Sequence, residues 1–103
     1  MKFDNVSVVC KANIFFDGKV VSHSVFFADG SKNSIGVMYP GSYKFDTGMK
    51  EIMEITSCSC KARIGDEAEW TEYPAGTAFT VQAGMSFEMS TDDGITEYVC
   101  SFE

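Results

Sequence analysis

The chain has 103 residues, 45% of them hydrophobic, enough for one domain with a modest core and no second domain. Its formal charge of -7 repels nucleic acid and anionic membrane, so any anion site must be a local basic pocket working against the general field. No apolar run approaches membrane-spanning length, and Met1-Lys2-Phe3-Asp4-Asn5 lacks the charged-then-apolar layout of a secretory signal, so the chain reads as cytoplasmic with no membrane partner.

The predicted elements are short strands divided by frequent turns. Residues 1–15 read as an N-terminal extension with one strand through Val6, Val8 and Cys10. Asp17-Gly18 separates a strand over 12–16 from one over 19–27, a strong hairpin signal. Within the second run His23, the only histidine, alternates with Val21, Val25 and Phe27 and reads as a core histidine. Asp29-Gly30-Ser31 leads to a strand over 34–39, which Pro40-Gly41 closes, and residues 42–46 form another. Strands over 51–57 and 59–64 are joined tightly at Cys58. After a strand over 70–73 comes a Pro74-Ala75-Gly76 corner, where Pro74 sets its own φ and Gly76 permits a sharp bend. Thr77, Phe79 and Val81 then share one face, with Ala78, Thr80 and Gln82 on the other. Met85, Phe87 and Met89 alternate with Ser86, Glu88 and Ser90, as in a strand with one buried face. Asp92-Asp93-Gly94 turns into a last strand over 95–102.

Nine or ten short strands with almost no helix signal predict an all-β, single-domain, jelly-roll-like barrel. The four cysteines, Cys10, Cys58, Cys60 and Cys100, are too few and too scattered for a disulfide scaffold. In one strand the thiols of Cys58 and Cys60 share a face and could contribute to a zinc site, but the one-residue gap is unlike the usual ligand spacing. Reduced, packed thiols are the favoured reading.

Two stretches resemble the motifs of cupin barrels. Glu51 opens a strand that a tight turn ends seven residues later, and the Pro74-x-Gly76 corner precedes an alternating strand. Metal-binding cupins carry histidines at positions matching 44–47 and 79; here Phe79 stands at the last, none of 44–47 is histidine, and only Glu51 remains of the ligand set. From Phe16 to the C-terminus the chain resembles the pyrimidine/purine nucleoside phosphorylase family. The likeness is carried by Gly18-Lys19-Val20, Gly36-Val37-Met38, Gly41-x-Tyr43-x-Phe45 and Glu51-x-Met53, then by Trp70, Tyr73-x-Ala75-Gly76, Phe79-x-Val81, Phe87 and Tyr98-x-Cys100. It departs at Gln82-Ala83-Gly84, where family members often carry proline and a polar residue.

The resemblance implies an RmlC-like cupin that cleaves purine and pyrimidine nucleosides with inorganic phosphate as co-substrate. It implies no metal or other cofactor, and a homodimer. Glu51 is then the catalytic carboxylate, pointing into the barrel beside the ribose; without the resemblance it reads as a solvated strand end. Tyr43 is a second catalytic candidate, stacking on the base and donating its hydroxyl, or else a core aromatic. Phe79 is expected to shape an apolar substrate cavity, and Lys32, beside a glycine-containing loop, to bind phosphate. Lys61 and Arg63 alternate with Cys60, Ala62 and Ile64 and are expected to face solvent. The alternative function is a cupin that binds a small molecule without turnover.

Overall fold

A computed structural model describes residues 1–103. Eleven strands form: β1 (Ser7–Val8), β2 (Asn13–Phe15), β3 (Val20–Phe26), β4 (Lys32–Met38), β5 (Gly41–Asp46) and β6 (Glu51–Ser57), then β7 (Ser59–Ile64), β8 (Thr71–Pro74), β9 (Ala78–Val81), β10 (Ser86–Thr91) and β11 (Thr96–Phe102). The one helical piece is a single 3-10 turn, Phe16–Gly18, inside the β2–β3 hairpin.

The strands make two antiparallel sheets. The larger runs β1-β3-β4-β11-β6-β9, with β2 also on β3, and the smaller runs β5-β10-β7-β8. From β4 to β11 every connection except β7–β8 crosses from one sheet to the other. That habit makes the jelly roll, because each crossing needs a corner rather than a hairpin turn. Cys58 is one such corner, with φ +62, and the strands it joins lie in different sheets. Its side chain is exposed while Cys60 is buried in the core, so the two thiols do not share a face as one continuous strand would have them. Gly76, at φ +91, is another corner. Its N–H donates to Ile55 O (2.8 Å), tying the β8–β9 crossing to β6.

Between the sheets lies one core. Met53, Ile55, Phe79 and Val81 enter it from the larger sheet, and Tyr43, Cys60, Ala62, Phe87 and Met89 from the smaller. The alternation read in residues 77–82 holds, with Phe79 and Val81 buried between exposed Ala78 and Thr80. In β10 Phe87 and Met89 face the core as expected, whereas Met85 lies before the strand and is exposed.

Two expectations about the N-terminal half are corrected. The strand read through Val6, Val8 and Cys10 forms only over Ser7–Val8, and Val8 and Cys10 are exposed. Instead β1 and β2 pair successive halves of one edge of β3, Ser7 and Val8 opposite Phe26 and Val25, and Asn13 to Phe15 opposite Ser22 to Val20. The first fifteen residues are thus the edge of the larger sheet. The second correction concerns β3, whose inward face is Val20, Ser22 and Ser24 and not the face of His23. His23 is only half-buried, on the outer side, where its Nδ1 lies 3.1 Å from Val9 O.

Candidate functional site

Because β2, β3, β4, β11 and β6 all turn alternate residues toward the smaller sheet, their inward side chains form a continuous wall. A cavity of about 280 Å³ opens beside it. The wall is polar: Asn13 from β2, Ser22 and Ser24 from β3, Lys32 and Ser34 from β4, Tyr98 and Cys100 from β11, Glu51 from β6. Opposite stands an aromatic wall, Phe45 of β5 and Phe87 of β10 stacked at 5.3 Å and 24°. Phe15 of β2 and Phe102 of β11 also line the cavity, from the larger sheet. A flat apolar ring fits one wall, and a polar, charged group the other.

Glu51 begins β6 opposite Phe102 of β11 and is half-buried. Its carboxyl sits above the usual carboxylate range, chiefly because burial disfavours the charge; the Cys100 thiol, donating across 3.3 Å, and the Lys32 ammonium pull it back down. Cys100 is pushed well up by burial and by the neighbouring carboxylate, so it stays a neutral thiol and a donor. Lys32 starts β4 at the rim, with Nζ 4.8 Å from the centre of the Phe102 ring. Tyr98 is pushed up to about 12 by burial, so its phenol keeps its proton at neutral pH.

The position of Tyr98 follows from Gly36. A Cβ at Gly36 would lie 2.7 Å from both Cζ and the hydroxyl of Tyr98, so only glycine lets that ring lie flat against β4.

Of the four residues singled out in the sequence, the fold brings Glu51 and Lys32 together on the cavity wall. Phe79 lies one layer behind, opposite Met53 in the sheet and with its ring centre 4.6 Å from Tyr73 and 6.1 Å from Phe87. Tyr43 is not at the cavity. Its buried hydroxyl donates to Tyr39 O (2.7 Å), with Pro40 O at 3.2 Å, and its ring packs on Phe16. The phenol that reaches the site is Tyr98, which the sequence showed only as part of Tyr98-x-Cys100. Ser22 and Ser24 were also missed, although polar residues at i and i+2 beside a histidine face mark a strand with a polar inner side. Lys61 and Arg63 face outward as expected, paired with Asp92 (3.6 Å) and Glu88 (3.2 Å).

A cupin-type metal does not fit these residues. Positions 44–47 and 79 offer no imidazole, no three His, Cys, Asp or Glu side chains converge, and the groups nearest Glu51 are a neutral thiol and an ammonium.

A family model described as pyrimidine/purine nucleoside phosphorylase matches residues 10–102. This chain belongs to the pyrimidine/purine nucleoside phosphorylase family. The match starts ahead of Phe16 and takes in β2, which carries Asn13 and Phe15 to the cavity. A pyrimidine/purine nucleoside phosphorylase of Herminiimonas arsenicoxydans is 52% identical over 98% of this chain and 96% of its own length. A protein of unknown function from Acinetobacter sp. ADP1 superposes with a TM-score of 0.96 at 38% identity, covering 99% of this chain and 98% of the other. Oxalate decarboxylase of Bacillus subtilis shares the fold alone, with a TM-score of 0.75 at 12% identity over 95% of this chain and 29% of that one. The all-β architecture expected from the strand pattern, of the cupin type that the resemblance implied, is therefore the fold of this family member.

Proposed function

We propose that this protein is a phosphate-dependent nucleoside phosphorylase that accepts both purine and pyrimidine nucleosides and needs no metal. The observation that carries the reading is the two-sided cavity, with Glu51 and Lys32 on one wall and stacked Phe45 and Phe87 on the other. An aromatic face holds any base ring without reading its edges, which suits broad specificity. In phosphorolysis a phosphate oxygen bonds to the anomeric carbon as the glycosidic C–N bond breaks. The bonding pair leaves with the base, which takes up a proton from water, and ribose 1-phosphate remains. Positive charge builds on the sugar at the transition state. The Glu51 carboxylate stabilises it from within a half-desolvated site, where a fixed charge acts more strongly than in water. Lys32 neutralises the incoming phosphate at the rim.

Phe79 supports this cavity from behind, by holding Phe87 in place. The working unit in this reading is a cytoplasmic homodimer. The test is release of free base from uridine and from adenosine by the purified protein. Release must require phosphate and survive a chelator; release without phosphate makes the protein a hydrolase, and none from any nucleoside ends the proposal.

A further inference from the structure

Asn13 stands at the back of the polar wall and spends both protons of its side-chain amide on serine hydroxyls. Its Nδ2 lies 3.3 Å from Ser22 Oγ and 3.3 Å from Ser24 Oγ. A hydroxyl that accepts at its oxygen keeps its own proton to donate elsewhere. Ser22 faces the phenol of Tyr98, and whichever of the two hydroxyls donates to the other, one proton of the pair is left without a protein acceptor. Ser24 has no protein acceptor for its proton either, since its oxygen only receives from Asn13. Both serines and Tyr98 are nearly sealed from bulk water, at 4%, 9% and 7% exposure, and all three line the cavity.

The row is therefore rich in donors and poor in acceptors. Two carboxylates line the cavity: Glu51, which already receives the Cys100 thiol, and Asp46 of β5, in the sheet opposite the row. Lys32 adds a cation on the same face of β4, two residues from Ser34. Sugar hydroxyls both donate and accept, and would leave their protons unpaired against such a row. A phosphate dianion only accepts, and buried donors left over in the protein are what it satisfies.

We infer that Ser24, Tyr98 and Lys32 form the phosphate subsite, and that Asn13 is the positioning residue that turns the hydroxyl protons of the wall toward it. This rests on the phosphorolysis reading above and adds which part of the cavity takes which substrate. It also gives β2 a function, since the edge strand that completes the larger sheet completes the anion site.

The experiment measures KM for phosphate and KM for uridine separately, and phosphate binding by calorimetry without nucleoside, for wild type, Asn13→Ala, Asn13→Asp, Ser24→Ala and Ser24→Thr. Asn13→Ala and Ser24→Ala should each raise the phosphate KM about tenfold, the scale of one hydrogen bond to a charged group. Asn13→Asp, which accepts the serine protons and adds a negative charge, should raise it on the order of 100-fold. Ser24→Thr, keeping the hydroxyl, should restore most of the loss, and the uridine KM should stay within about twofold throughout. A rise in the uridine KM with the phosphate KM unmoved assigns the row to the sugar and overturns the subsite. So do unchanged constants in variants that melt like wild type. Wild-type protein that binds phosphate, more weakly as Asn13→Asp, yet cleaves no nucleoside, keeps the subsite and overturns the activity instead.

Discussion

The Cys100 thiol donates across 3.3 Å to Glu51 Oε1, between neighbouring strands β11 and β6, and it is the one protein donor that carboxylate receives. One weak donor does not compensate for burial, so Glu51 holds its proton more tightly in the fold than in the unfolded chain. A group whose folded pKa is raised favours folding fully below its unfolded value, and loses that contribution as pH rises through the folded value. The ionised form of Glu51 is therefore held at a cost to stability. Glu51→Gln should therefore melt higher than wild type at pH 7, with the gap closing as pH falls to about 4, the ordinary carboxylate range. The same variant should lose turnover by about a hundredfold or more, as removal of a charge that stabilises the transition state does. A variant that gains stability and keeps its rate would remove Glu51 from the chemistry.

Lys32 holds the Glu51 pKa below where burial alone would put it, and the other titratable groups on the cavity are the neutral Cys100 thiol, the neutral Tyr98 phenol and the Asp46 carboxyl across from them. Activity that needs ionised Glu51 falls as pH drops through that pKa, so the acid limb of kcat/KM belongs above the usual carboxylate range. Lys32→Gln removes the only cation in the set. Its acid limb should move to higher pH, along with a raised KM for phosphate. Initial rates with nucleoside held well below its KM and phosphate varied, from about pH 4.5 to 8, check both. A limb that stays put while the phosphate KM rises would separate the two roles of the lysine.

How far the sequence could be read follows from what each residue depends on. The turns were legible because Pro74, Gly76 and the Asp-Gly pairs set backbone angles locally, but which of them switch sheets was not. Glu51 was legible as an inward-pointing residue because it opens a strand at a position the family likeness marked, and Lys32 drew notice as a cation in a glycine-containing loop; both line the cavity. Tyr43 and Tyr98 were not distinguishable, since both alternate inward in a strand; what separates them lies across the barrel. Tyr43 meets the carbonyls of Tyr39 and Pro40, whereas Tyr98 lies on Gly36 and points to Ser22. The His23 face of β3 looked like the core because its neighbours are apolar. It faces outward because the polar face, Ser22 and Ser24, has Asn13 and a cavity to serve.

Gly36→Ala should damage the site through Tyr98. The added methyl meets the Tyr98 ring at 2.7 Å and Val21 O, a backbone atom, at 2.8 Å, so the ring must move while the strand cannot. Overpacking of this kind costs about 1–3 kcal/mol, to be read as a lower urea midpoint with an unchanged slope. Displacing the phenol should also raise the phosphate KM, and Tyr98→Phe, which keeps the ring seated, should reproduce that rise without the loss of stability. An unaltered urea midpoint in Gly36→Ala would mean that the ring has room the structure does not show.

Tyr43→Phe tests the opposite assignment for the other phenol. Its hydroxyl proton is committed to Tyr39 O at 2.7 Å, in the corner where β4 hands the chain to β5, and its ring packs against Phe16. The hydroxyl serves the frame, so deleting it leaves a backbone carbonyl without its partner at a cost of about 1 kcal/mol. In a domain of this size that lowers the melting temperature by about 4–8 °C. The kcat/KM for uridine and the phosphate KM should both stay within about twofold of wild type, because nothing lining the cavity has changed. A large fall in kcat with the melting temperature unmoved would reverse the assignment, and put Tyr43 in the reaction and Tyr98 in the frame.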